Sequence, residues 1–314
     1  MSRRPQAAPG SGSAADSARK GPGYAVREAA VRLLVSVLDK RQALDATLES
    51  DTVFTALAVR DRAFARAIVG TALRRHGTIA AALATLMATR PPRAGNLDRI
   101  LEIAAAQILF MRTADHAAVS LAVDQVAADR NARHFKGLAN AVLRRLVRER
   151  DALLPQLHAV NLDTPDWLWQ RWSATYGEAT AWHVADAHLL EPALDISVKS
   201  DAEGWAEKLG GIVLPTGTVR LVPAGPIEAM AGFGEGQWWV QDAAAALPAR
   251  LLGEVAGERI ADLCAAPGGK TAALAAAGAR VTALDISTER LRRLGDNLKR
   301  LALDAELVRA DVMQ

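Results

Sequence analysis

The chain has 314 residues, half of them hydrophobic, with a net charge of +3, enough for about two domains that each bury a real core. Cys264 is the single cysteine, so no intrachain disulfide can form and a reducing compartment is expected. No uncharged apolar run approaches the ~18 residues of a membrane span, and the first residues lack the apolar core of a signal peptide. These features predict a soluble, cytoplasmic monomer with neither a membrane nor a metal as partner.

The charge is unevenly distributed. Residues 24–150 carry 20 lysines and arginines against 12 aspartates and glutamates, a balance of +8, whereas residues 151–314 carry 14 against 22, a balance of −8. A basic module that meets a polyanion would look like this, and so would a set of solvated helix faces.

Residues 1–22 are rich in Ser, Gly, Ala and Pro and read as a disordered leader. From 23 to 150 the apolar spacing is helical. Ala30, Leu33, Leu34, Val37 and Leu38 form one stripe, and Phe64, Ala67, Ile68 and Thr71 a second, with Asp61 as its expected N-cap. Leu97, Ile100, Leu101, Ala104 and Ile108 form a third. Val119, Ala122, Val123 and Val126 follow, then Leu138, Val142 and Leu146. Breaks are expected at Pro91-Pro92 and at Thr113–His116. An all-α N-terminal bundle is predicted.

The composition changes near Pro155. All seven tryptophans lie between Trp167 and Trp239, and short β-like runs appear at 193–198, 212–214, 219–222 and 238–240. Residues 151–255 therefore read as linker helices and a small α+β unit. From 256 to 314 the pattern is strand, helix, strand, helix, strand: 260–263, 271–277, 281–284, 288–301 and 306–308. Such β-α-β repeats predict an α/β, Rossmann-like parallel sheet.

In open parallel sheets, ligands bind beyond the carboxyl ends of the strands. The turn Ala265-Ala266-Pro267-Gly268-Gly269 follows the first strand, and its small residues let backbone approach a cofactor. Asp285 ends the second strand, where a carboxylate can accept both ribose hydroxyls of an adenosine. Asp311 ends the third and would lie beside the adenine. Gly269-Lys270-Thr271 also mimics a phosphate-binding loop, but the glycine that loop requires is replaced by Cys264, and Pro267 interrupts it. A dinucleotide G-x-G-x-x-G would fall on Cys264, Ala266 and Gly269, a poor match. A tight turn without a ligand is the remaining alternative.

Asp262–Thr271 resembles the cofactor loop of S-adenosylmethionine-dependent RNA cytosine carbon-5 methyltransferases, and Gln241-Asp242 resembles the segment that precedes it. Arg60–Arg66, His116–Val119 and Asn140–Leu146 resemble the RNA-binding fold of the antitermination factor NusB. The combination is similar to the bacterial 16S ribosomal RNA methyltransferase B group. The resemblance implies that Cys264, Ala265, Ala266, Pro267, Gly268, Gly269, Lys270, Asp285 and Asp311 contact S-adenosyl-L-methionine, and that 16S ribosomal RNA is the partner. It departs from that group at Leu194-Asp-Ile-Ser-Val-Lys199, where an Arg-x-Asn pattern is usual.

Carbon 5 of cytosine is a poor nucleophile, and the family activates it by adding a cysteine thiolate to carbon 6. A second cysteine then assists release. Both belong to segments after the third strand, so the expectation is that no catalytic residue lies within these 314 residues and the nucleophile lies beyond Gln314. Cys264 is expected to pack against the cofactor as a small hydrophobe, and Lys270 either to steer the cofactor's carboxylate or to start a helix. On this reading the α/β domain is incomplete at its C-terminus, and strand 260–263 has one unpaired, apolar, aggregation-prone edge.

Weaker candidates are Arg74-Arg75, the group Arg130, Arg133 and Lys136, and the group Arg144, Arg145 and Arg148, as phosphate contacts or as solvated faces. His116 is expected to cap or pack its helix, and Trp167, Trp169 and Trp172 to be core. A non-enzymatic RNA-binding or assembly module built on the helical bundle is the alternative function.

Overall fold

The computed structural model describes residues 23–313 apart from 88, 90, 92, 93, 158, 159, 223 and 224. The expected leader and Pro92 lie outside the described residues. The chain divides into two compact units, 1–190 and 191–314.

The first unit is helical. Its elements are α1 (Tyr24–Leu38), α2 (Leu44–Ser50), α3 (Thr52–Thr55), α4 (Val59–Arg74) and α5 (His76–Leu86). These are followed by α6 (Leu97–Phe110), α7 (Asp115–Ala128), α8 (Lys136–Gln156), α9 (Asp166–Tyr176) and α10 (Glu178–His188). Helix α6 is the hub, touching α1, α4, α5, α7 and α8. It is buried nearly all round, and so are its polar residues Glu102 and Gln107. The buried Glu102 carboxylate is gripped by Arg99, whose Nη1 donates to both oxygens at 2.7 and 2.6 Å, while the other edge of the guanidinium holds Asp39 at 2.9 Å. Burial pushes the Glu102 carboxyl up from its ordinary range, and Arg99 opposes that shift.

The expected stripe is buried throughout in α6, buried at Ala30, Leu33 and Leu34 but half-buried at Val37 and Leu38 in α1, and shifted in α4. There the buried residues are Ala65, Ile68, Val69 and Ala72, one step round from the predicted face, because α4 packs against α1 and α6 together. Asp61 is not the N-cap. Ala58 holds that position, and Asp61 sits in the first turn, where its charge favours the positive helix end. The tryptophan helix α9 has no buried residue; it packs on α10, and Trp167 is 65% exposed. The expected boundary near 150 falls inside α8, which continues to Gln156.

The second unit holds two sheets. In the first, β1 (Leu194–Val198), β2 (Ile212–Val213), β3 (Val219–Leu221) and β4 (Trp238–Val240) are antiparallel in the order β2-β3-β1-β4, with α11 (Ala202–Leu209) against β2 and β3. Helix α12 (Ala243–Arg250) is capped by the Asp242 carboxylate, which accepts from Ala244 N and Ala245 N. The second sheet is parallel, in the order β5 (Arg259–Asp262), β6 (Arg280–Asp285), β7 (Glu306–Arg309), joined by α13 (Gly269–Ala276) and α14 (Thr288–Arg300).

Each predicted strand and helix of this unit is present to within about two residues. Among the described residues β5 pairs only with β6. Its open edge is less apolar than expected, since two of its four residues are Arg259 and Asp262, and charge on an edge blunts pairing.

The two sheets of this unit are tied together at the C-terminal end of α14. Lys199 Nζ donates to Leu301 O, and Arg300 Nη1 donates to Phe233 O at 2.6 Å and Trp238 O at 3.2 Å. Gly236 is required at this junction, because a Cβ there would lie 2.1 Å from Arg300 O.

Candidate functional site

The parallel sheet delivers three loop ends to one edge. Strand β5 leads into the loop Leu263–Gly268, and the loop enters α13 at Gly269. Thr271 Oγ1 in the first turn donates to Asp262 Oδ2 at 2.7 Å, locking the strand end to the helix start. Within the loop Gly268 N donates to Ala265 O at 2.8 Å, and Ala265 N donates across to Leu284 O of β6 at 2.9 Å. Gly268 has φ +107°, and a Cβ on it would lie 2.9 Å from Leu294 Cγ of α14, so glycine serves both conformation and space.

Asp285 sits on the buried face of β6, which alternates Val281, Ala283, Asp285. Only 5% of it is exposed. Its two oxygens accept from Ala266 N at 3.2 Å and from Ser287 N at 3.0 Å. Arg290 Nη1 is 3.6 Å from the carboxylate, and the same guanidinium donates to Ala266 O. Asp285 thus holds the Leu263–Gly268 loop in shape. A carboxylate offers about four lone-pair sites, so capacity remains for a ligand hydroxyl.

The sequence-predicted residues come together to different degrees. Ala265 and Ala266 are buried, and Asp285 grips their loop. Asn297 Nδ2 braces the next residue by donating to Pro267 O at 3.2 Å. Cys264 is exposed, because the turn places it at the strand's open end. Lys270 is exposed in the first turn of α13. Asp311 lies two residues past β7, where its Oδ1 accepts from Met313 N at 3.0 Å. His116 is exposed in the first turn of α7 and does not cap it.

The contacts of several supporting groups were not legible beforehand. Gln241 is one: its Oε1 accepts from Ser197 Oγ at 2.8 Å and Trp239 Nε1 at 3.0 Å, and its side chain lies against Gly269. Asp195 and Ser197 occupy the segment where Arg-x-Asn is usual in the resembling family. Here Asp195 is clasped by Arg220 from β3 through Nε at 2.7 Å and Nη2 at 2.8 Å and accepts from Ala243 N at 3.1 Å. The Arg220 guanidinium holds the Asp195 carboxyl below the usual carboxylate range. The departure is therefore built into the sheet and into the segment leading to the loop.

A test of fit for an adenosyl cofactor favours the site. Glycine at 268 and 269 leaves no Cβ where the loop enters α13, the buried carboxylate Asp285 lies beside the loop, and Leu263, Ile286 and Val312 are exposed apolar residues following β5, β6 and β7. Apolar faces flanking a carboxylate at strand ends suit a purine ribonucleoside.

Helical bundle and α/β unit with this loop define the class: a NusB-like domain followed by a methyltransferase-like region. Residues 25–148 match the NusB family, and residues 249–314 match the family described as 16S rRNA methyltransferase RsmB/F. The ribosomal RNA small subunit methyltransferase B of Serratia proteamaculans is 32% identical over 308 residues, covering 92% of this chain and 70% of that protein. The enzyme of the same name from Klebsiella pneumoniae is 37% identical over 220 residues, covering 65% of this chain and 50% of that protein. The chain belongs to the ribosomal RNA small subunit methyltransferase B family. It spans about half the length of the Klebsiella relative. The crystal structure of PH0851 shares the fold, with a TM-score of 0.67 at 19% identity over 93% of this chain and 70% of that one.

Proposed function

We propose that the protein methylates carbon 5 of a cytosine in 16S ribosomal RNA, using S-adenosyl-L-methionine bound at the C-terminal edge of the parallel sheet, and that it acts in the cytoplasm. The observation that carries this reading is the buried Asp285 holding the Ala266 amide in a chain of this family. S-adenosylmethionine would supply an electrophilic methyl group on a sulfonium.

In this reading the backbone of Cys264–Lys270 seats the cofactor, Asp285 accepts its ribose hydroxyls, and Ile286 covers an adenine face. Asp311 approaches the adenine edge, and Lys270 attracts the carboxylate. Thr271 and Asp262, Asn297 and Arg290 keep the loop in its binding shape. Cys264 belongs to the loop and is not the nucleophile.

Isothermal calorimetry of the 314-residue chain with S-adenosylmethionine tests the reading. Asp285→Asn should weaken binding about 10- to 100-fold, the equivalent of a hydrogen bond to a charged group at 1.5–3 kcal/mol. RNA retention with no cofactor binding would overturn it in favour of a non-enzymatic RNA-binding module.

A further inference from the structure

Helices α7 and α8 enclose a cleft of about 700 Å³ in the helical unit, separate from the cofactor loop. That volume lies within the range of sites that take small molecules or single nucleotides. Its apolar lining comes from Val119 and Val123 of α7 and Val147 of α8. Arg144 and Arg148, one turn apart on α8, supply positive charge on one wall. Neither has a carboxylate partner among the described residues; Arg144 Nε donates to the side-chain oxygen of Asn140 at 3.0 Å, which orients the guanidinium.

Two carboxylates line the cleft, and they differ. Asp115 is neutralised by Arg150 Nη1 at 2.8 Å. Asp124 is exposed and keeps an acceptor available.

The geometry points to a docking site for single-stranded RNA, in which one unstacked nucleotide enters the cleft and its flanking phosphates meet Arg144 and Arg148. The charge argues for this occupant. The cleft belongs to the segment with a balance of +8, and two arginines at i and i+4 can meet successive phosphates of one strand. The valines offer an apolar surface to a base face. Asp124 can accept from an exocyclic amino group, which favours cytosine or adenine over uracil. RNA duplex, with its bases stacked and paired, cannot enter. The site rests on the reading of an RNA substrate but not on the cofactor loop.

The test is fluorescence anisotropy of the 314-residue chain with short single-stranded RNA and with duplex RNA of the same sequence. Arg144→Glu with Arg148→Glu should weaken single-strand binding at least tenfold and reduce the slope of log affinity against log salt by about 1.4, the value for two phosphates. Ser120→Trp, an exposed lip residue, should plug the cleft and weaken binding at least fivefold while the thermal melt is unchanged. Arg171→Glu, exposed on α9, should stay within twofold of wild type.

Wild-type affinity in both cleft variants would overturn the proposal. So would equal loss with Arg171→Glu, or full displacement of the RNA by polyglutamate at equal charge concentration, which would mark a site for acidic peptide. Calorimetry with S-adenosylmethionine on the same variants separates the two readings: unchanged cofactor binding with lost RNA affinity supports the cleft, and lost cofactor binding alone leaves the cleft result standing.

Discussion

Asp285 and Asp195 show two uses of a buried carboxylate. Asp285 was legible because β6 alternates and an acidic residue at the end of such a strand faces the ligand edge; that it also clamps Ala266 N was not, since the contact spans 19 residues. Asp195 was legible only as a departure from a pattern. Its partner Arg220 lies directly across the β1–β3 register, a pairing no local signal reveals. Because the fold lowers the Asp195 pKa, the pair's contribution is fully present above the unfolded carboxylate value near 3.9 and is lost as pH falls through the folded value. Arg220→Ala should lower stability by about 2 kcal/mol at pH 7, the scale of a charged hydrogen bond, and the difference from wild type should shrink toward pH 3. Urea midpoints measured from pH 3 to 7 read this directly; a difference that grows on acidification would refute it.

At the scale of elements, short strands and helices of the α/β unit were readable because each is bounded by Gly, Pro or a capping residue, as Ser287 caps α14 through Arg290 N. Helix α9 was not. Its tryptophans have the spacing of a core face, but its main neighbour is α10, which itself packs on the 160–163 turn, so spacing alone gave the wrong burial. The junction with that turn also depends on contacts distant in sequence. Asp163 accepts from Thr78 N at 2.8 Å and Thr78 Oγ1 at 2.7 Å, supplying α5 with the N-terminal cap that Arg75 does not provide. Gly77 makes this approach possible, because a Cβ there would lie 1.7 Å from Leu162 O. Gly77→Ala should displace the 160–163 turn and cost more than the ~1 kcal/mol of a lost cap, although alanine is the better helix former. Thermal melts comparing Gly77→Ala with Asp163→Ala check this: the glycine variant should be the less stable, and a stabilised Gly77→Ala would refute the packing argument.

For the whole molecule, composition foretold two modules of opposite charge, and the structure divides at 190/191 rather than near 150, because α8 continues and α9 and α10 group with the helical unit. The change in tryptophan content near Pro155 follows the end of the NusB family match at 148, while the compact unit runs on to 190. Among the described residues no helix is long and apolar enough to cross a membrane. The central claim is that the loop Cys264–Lys270, with Asp285 and Asp311, holds S-adenosylmethionine. Amide hydrogen exchange of the 314-residue chain, with and without saturating S-adenosylmethionine, tests it most directly. The account predicts added protection at 264–270, 285–287 and 310–313, strongest at the amides of Ala266 and Ser287, and none along α7 and α8. Protection confined to other segments, or none at saturation, would contradict it.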